Sequence, residues 1–178
     1  INNLNKKSII SIDTETSSLN PLEAELIGMS FSSDINEAYY IPLGHRNVKS
    51  LSKNQVLKKI KPLLEDPSIK KVGQNIKYDL IVLKKNGIEI QPIEDTMLLS
   101  YVLDAGNNRH NMDTLSELHL GHKTISYKDL VGTGKKQLNF ADVDIKPATE
   151  YAAEDADITF RLYEVLSERV SEEKLERV

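Results

Sequence analysis

Cysteine is absent from this chain of 178 residues, which excludes a disulfide framework and leaves a structural zinc centre without thiolate ligands. The same absence fits a cytoplasmic protein, the location expected here. No apolar run approaches the roughly 20 residues that a membrane helix needs, and no signal peptide opens the chain, so no membrane partner is expected. Excess positive charge is missing as well: 23 Lys and Arg against 27 Asp and Glu give a net charge of −4. That is the wrong sign for gripping nucleic acid by bulk charge. Any phosphate binding must be local, through bound cations and a few placed Lys or Arg. Repeats, low-complexity tracts and linkers are also lacking. What remains, 39% hydrophobic and 28% charged residues, is a globular composition.

The length fits one domain, residues 1–178, with a sizeable core. The chain starts at Ile1 rather than methionine and stops in the charged run Ser167 to Val178. Both ends look cut from a longer polypeptide, and a monomer is expected.

Hydrophobic periodicity predicts strands at Ile9–Asp13, Glu25–Ser32 and Ala38–Pro42, separated by turn signals at Asn20-Pro21 and Asp34-Ile35-Asn36. Short connections make these an antiparallel meander. Ser52 and Gln55 form a capping-box pattern ahead of a helix that turns Val56, Leu57, Ile60, Leu63 and Leu64 to one face. Ile69–Val72 reads as a further strand and Tyr78–Lys85 as a helix ended at Gly87. Asp95 caps a helix over Thr96–Leu103, and Asp113 caps one from Thr114 with Leu115 and Leu118 inward. Gly121–Asn139 is loop with a short helix near Tyr127, and the last helix starts at Pro147 and runs through Leu166. The class is α/β, a mixed central sheet with helices on its faces.

The chemistry lies in the acidic residues. Asp13 and Glu15 are i and i+2 on a strand, so they share one face. Burying two adjacent carboxylates is costly unless a proton or cation intervenes, and hard cations such as Mg2+ or Mn2+ take oxygen ligands. Tyr151 and Asp155 are i and i+4 on the last helix and can reach one site. Glu154 and Asp157 lie off that face and read as solvated or locally paired. Asp79 follows Asn75 by four residues, where a strand hands over to a helix. Two divalent cations about 4 Å apart could activate a water and stabilise the leaving oxygen of a displacement at phosphorus. Tyrosine, with an ordinary pKa near 10, suits orienting that water better than deprotonating it. Taken singly, Asp13-Thr14-Glu15 also reads as a turn with side-chain caps, and Asp79 could pair with Lys77 or Lys84. The four histidines form no metal-ligand spacing.

The order Asp-x-Glu, Asn-x-x-x-Asp, Tyr-x-x-x-Asp resembles the tyrosine branch of the DEDD 3′–5′ exonucleases, which have a ribonuclease-H-like fold. Val72-Gly73-Gln74-Asn75-Ile76-Lys77-Tyr78-Asp79, Glu94-Asp95-Thr96-Met97-Leu98 and Tyr151 to Asp157 are similar to the proofreading domain of bacterial DNA polymerase I. So are His122-Lys123-Thr124-Ile125 and the later Gly132-x-Gly134-Lys135. The resemblance spans about Ser8 to Leu166.

It implies metal-dependent 3′–5′ hydrolysis of single-stranded or frayed DNA. Asp13, Glu15, Asp79 and Asp155 would be ligands of two divalent cations, Mg2+ or Mn2+, with Zn2+ admissible at one site. Tyr151 would orient the water. Leu19 matches a leucine that wedges between terminal bases, and Tyr127 an aromatic that stacks on them, here Tyr for the family's Phe. Arg109 matches a phosphate contact, and Gln74 and Asn75 polar contacts to the terminal nucleotides. The implied partners are a single-stranded DNA 3′ end and a covalently linked polymerase domain. Two rival readings stand beside this one. The first is an exoribonuclease of the ribonuclease D type, separable by its 2′-OH recognition. The second is a non-catalytic DNA-binding domain that supports a polymerase module.

Overall fold

Alternation along the first strand, β1 (Ile9–Thr16), divides the molecule into two unlike halves. Ile10, Ile12 and Thr14 point to one side, and Ser11, Asp13 and Glu15 to the other. The computed structural model describes residues 4–49 and 51–175; the last three residues of the charged run ending at Val178 lie outside that range. Strands β2 (Leu26–Asp34) and β3 (Glu37–Pro42) complete the expected antiparallel meander. Strands β4 (Lys70–Gly73) and β5 (Ile93–Asp95) add on parallel, giving a five-stranded mixed sheet of order β3-β2-β1-β4-β5.

The oily side of the sheet packs on helices α1 (Lys53–Leu64) and α2 (Lys77–Lys85). There Ile10, Ile12, Met29 and Phe31 join Leu57, Ile60, Val82 and Leu83 in the main core. The other side is built of small residues. Ser11 pairs with Ser32, Asp13 with Ser30, and Glu15 with Gly28, and directly paired residues of an antiparallel ladder share a face. Helix α6 (Ile145–Glu172) lies across this face with the buried small residues Ala148, Ala152 and Ala156 at four-residue spacing. Its backbone comes close enough for the Ser11 hydroxyl to donate to the Ala156 carbonyl at 2.6 Å. A second stripe of α6, Ile158, Leu162 and Leu166, closes over Leu115.

Helices α3 (Thr96–Asp104), α4 (Met112–Leu115) and α5 (Tyr127–Val131) complete the set. Asp95 caps α3 as expected, accepting from the Met97 N–H. Other local expectations fail for identifiable reasons. Ser52 occupies the N-cap position of α1 without a side-chain cap; this first turn is largely exposed, so its N–H groups are open to solvent and need no side-chain partner. Asn111, not Asp113, stands at the N-cap of α4, and the Asp113 carboxylate accepts from the Thr124 hydroxyl at 2.7 Å. Leu118 is 58% exposed, because a π-type turn over Ser116–Leu120 rotates it away from the face of Leu115. Helix α6 begins at Ile145, two residues before Pro147, which still falls in the first turn where its missing N–H costs nothing, and continues past Leu166.

The close approach at Gly28 generates a prediction. A Cβ added there would collide with Cζ and Cε2 of Tyr40 and stand closer still to its hydroxyl, and Tyr40 is tethered through that hydroxyl to His45 Nε2 at 2.8 Å. Gly28→Ala should therefore destabilise the protein by about 1–3 kcal/mol, the usual range for overpacking. Urea unfolding measures this, and an unchanged midpoint would contradict the packing described.

Candidate active site

The functional cleft opens where β1 ends against the N-terminal half of α6. A register shift between Glu15 and Thr16 bulges the strand, a device that re-aims side chains at a sheet edge. Asp13 and Glu15 from β1 and Asp155 from α6 then converge, with one carboxylate oxygen of each within 4.8 Å of the others. Asp79 approaches from α2 on the opposite side of the sheet and stays outside that triplet. Its Oδ1 accepts from the Thr14 N–H at 3.0 Å and from the Thr14 hydroxyl. Thr14 alternates with Asp13 and Glu15, so one short stretch of strand carries two carboxylates on one face and the brace for a third on the other.

The electrostatics are uncompensated. Among the described residues, none that lines the cleft is Lys, Arg or His. Burial pushes the Asp13 carboxyl up to about 6. Burial, and then the charges of Asp13, Asp155 and Asp79, push Glu15 well above the usual carboxylate range. Asp79 and Asp155 rise for the same reasons, burial first and then Asp13. Glu15 Oε1 is buried with no hydrogen-bond partner among the described residues. An orphaned carboxylate oxygen beside two more carboxylates is a hard, anionic oxygen donor set, and it suits a Mg2+- or Mn2+-type cation. The Tyr151 phenol is raised by burial and then by Asp155, Glu15 and Asp13, and its hydroxyl interacts with the Asp155 carboxylate. It holds its proton and acts as a donor.

The cleft, about 820 Å³, is otherwise polar and aromatic. Tyr127 lines it and is 39% exposed. The Tyr127 ring centroid lies 5.9 Å from that of Tyr151, which lies 6.2 Å from Phe140. Leu19 stands on the rim, 95% exposed, and Asn75 lines the wall. Two of the expected residues are not brought into the cleft. Arg109 is exposed outside the lining. Gln74 spends its side chain inside the protein, donating to the His110 carbonyl at 2.8 Å and accepting from the Thr96 hydroxyl. Glu154 and Asp157 are locally paired, Glu154 with His122 and the Ile125 N–H, Asp157 with Arg161 and the Asn36 N–H.

Several contributors lay beyond motif reading. Asn139 donates to the Ser17 carbonyl at 3.1 Å and ties the loop after α5 to the end of β1. Tyr40 fills the space opposite Glu15 left by Gly28, and its partner His45 is bonded in turn to the Val143 carbonyl. No local sequence signal announces these pairings, and the partners in two of them, Asn139 with Ser17 and His45 with Val143, lie about a hundred residues apart.

A mixed five-stranded sheet flanked by helices, with a carboxylate cluster between its first strand and its last helix, has the fold of the ribonuclease-H-like class. Comparison narrows the class. Residues 1–171 match the family model described as a 3′–5′ exonuclease of DNA polymerase A. DNA polymerase I of Rhizobium leguminosarum is 47% identical over 92% of this chain, and that of Pseudomonas aeruginosa 44% identical over 94%. The chain spans only 18% and 19% of those two relatives' lengths. Brucella melitensis NrnC with bound Mg2+ superposes with a TM-score of 0.74 at 26% identity, covering 97% of this chain and 78% of that one. The chain belongs to the 3′–5′ exonuclease domain family of DNA polymerase I.

The raised carboxyls make stability depend on pH and cation together. A carboxyl whose folded value exceeds its unfolded one stays protonated in the fold while the unfolded chain is already ionised. Its contribution is intact below about 3.8 and is lost as pH rises through about 6 for Asp13. Asp79, Glu15 and Asp155 extend the loss upward. Without divalent cations the melting temperature should fall as pH rises from about 4 through about 6, and saturating Mn2+ should restore it. A melting temperature that rises over this range, or that ignores Mn2+, would contradict the account.

Proposed function

We propose that this domain removes nucleotides from the 3′ end of single-stranded or frayed DNA by hydrolysing the terminal phosphodiester, as the proofreading module of a longer polymerase I chain. The observation that carries this reading is the buried, unpartnered Glu15 oxygen among carboxylates that no cationic side chain neutralises. Asp13, Glu15 and Asp155, with Asp79 beside them, would hold two divalent cations, Mg2+ or Mn2+. Bound cations of this kind supply Lewis acidity at the phosphoryl oxygens and lower the pKa of a water.

The chain's own residues account for the remaining requirements. Tyr151, kept protonated, donates a hydrogen bond that aims the attacking water rather than deprotonating it. Thr14 locks Asp79 through two hydrogen bonds to one oxygen, leaving the other free to serve the site. Tyr127 offers a partly exposed ring for a terminal base, and stacking of this kind tolerates any base. Leu19 on the rim can wedge between that base and its neighbour. Asn75 supplies polar contact from the opposite wall. Arg109, outside the cleft lining, would meet a phosphate upstream of the reacting one.

Among the described residues no helix is long and apolar enough to cross a membrane. A cytoplasmic location and a monomeric state belong to the same proposal.

The test is degradation of matched DNA and RNA single strands, labelled at either end, with and without EDTA. We expect stepwise loss from the DNA 3′ end, abolished by EDTA and by Asp155→Asn. Tyr151→Phe should bind Mn2+ normally yet turn over more slowly by on the order of 10²-fold, the low end for an orienting group. Preferential RNA degradation would transfer the domain to the ribonuclease D type. Activity that survives EDTA or Asp155→Asn would overturn the metal-site reading.

A further inference from the structure

Four consecutive residues, the last of β4 and the three that lead into α2, are gripped by the start of α3. Thr96 donates to the Gly73 carbonyl at 3.2 Å and bonds the Gln74 side-chain oxygen. The Asp95 carboxylate accepts from the Asn75 N–H at 2.9 Å with Oδ1 and from the Ile76 N–H at 3.1 Å with Oδ2. The same Oδ1 accepts from the Met97 N–H at 2.9 Å, capping α3. A helix cap needs only that last bond, so two of the three bonds to this buried carboxylate serve something other than the helix.

What they serve is the conformation of Asn75. Its φ is +59°, in the left-handed region that residues with a side chain adopt at a cost, Asn less than most, so the two Asp95 bonds select this conformation rather than force it. Space is tight on the strand side, where a Cβ at Gly73 would stand 2.7 Å from Ile76 Cγ1. In this conformation Asn75 lines the cleft. Asp79, one turn further on, does not depend on Asp95, because Thr14 holds it through two hydrogen bonds of its own.

We propose that Asp95 is a positioning residue for the exonuclease reaction: its carboxylate fixes the left-handed turn that presents Asn75 to the terminal nucleotide. The proposal rests on the reading of the cleft as the substrate site. Because Asp79 is secured separately, loss of Asp95 should weaken substrate binding more than the chemical step.

Asp95→Asn keeps the shape but leaves one oxygen to serve three N–H groups. KM for a single-stranded DNA should rise about tenfold, the worth of one or two hydrogen bonds, while kcat falls less than about threefold. In an Asn75→Gly background, position 75 takes a positive φ freely and has no side chain to present. There Asp95→Asn should raise KM no further. A KM increase that adds in full in the double variant, or a kcat loss as large as the KM change, would mean Asp95 only stabilises α3 and would overturn the proposal. Should the variant fail to fold, amide hydrogen exchange on the unaltered protein decides. The Asn75 and Ile76 amides should exchange as slowly as that of Val72 in β4, and exchange at the rate of a free turn would overturn the clamp. A protein that shows no 3′–5′ hydrolysis while those amides are protected would instead overturn the reading of the cleft.

Discussion

Repulsion among buried carboxylates is the constraint around which this domain is arranged. Two unit charges about 5 Å apart cost about 3 kcal/mol at an effective dielectric near 20, and the triplet Asp13, Glu15 and Asp155 contains three such pairs. Folding against that cost requires rigid attachment of both contributing elements. β1 is an interior strand, paired on one side to β2 and on the other to β4. α6 is held to it through the Ser11–Ala156 hydrogen bond, and its apolar stripe anchors it further along to Leu115 of α4. The serine- and glycine-lined sheet face is part of the same solution, since bulky residues there would lift α6 and carry Asp155 away from the strand.

An acidic domain that acts on a polyanion must gain its affinity elsewhere than from net charge. In the proposed reading the cleft would meet this need with shape and stacking: the Tyr127 ring beside Tyr151, the exposed Leu19 and the Asn75 wall. Such contacts would be indifferent to base identity, which suits removal of whatever nucleotide stands at the end. They would engage only an unstacked base, so a frayed end would have access that a paired end lacks.

Much of this was legible in the sequence because the key residues sit at short spacings with fixed geometry. Asp13 and Glu15 share a face in any strand, and Tyr151 and Asp155 share one in any helix. The meander and the α/β layering followed from strand periodicity and connection length. What escaped depended on partners distant in the chain. Gln74 stands in a motif beside Asn75, yet its side chain turns inward because Thr96 and the His110 carbonyl offer it two bonds. Asp95 reads as a helix cap, which it is, while its hold on Asn75 and Ile76 crosses about twenty residues of sequence. Asp113 was misplaced because α4 starts at Met112, capped at Asn111, and Leu118 because a π-type turn then interrupts the helical phase; nothing in local composition marks that turn.

Calorimetric titration of Mn2+ into cation-free protein, at about pH 6 and in two buffers of different ionisation enthalpy, tests the central claim most directly. Carboxyls held protonated by burial and mutual repulsion must release protons when cations bind. The account predicts saturable binding coupled to proton release, with both lost in Glu15→Gln. Absence of binding, or binding without proton release, would show that the cluster is not a cation site.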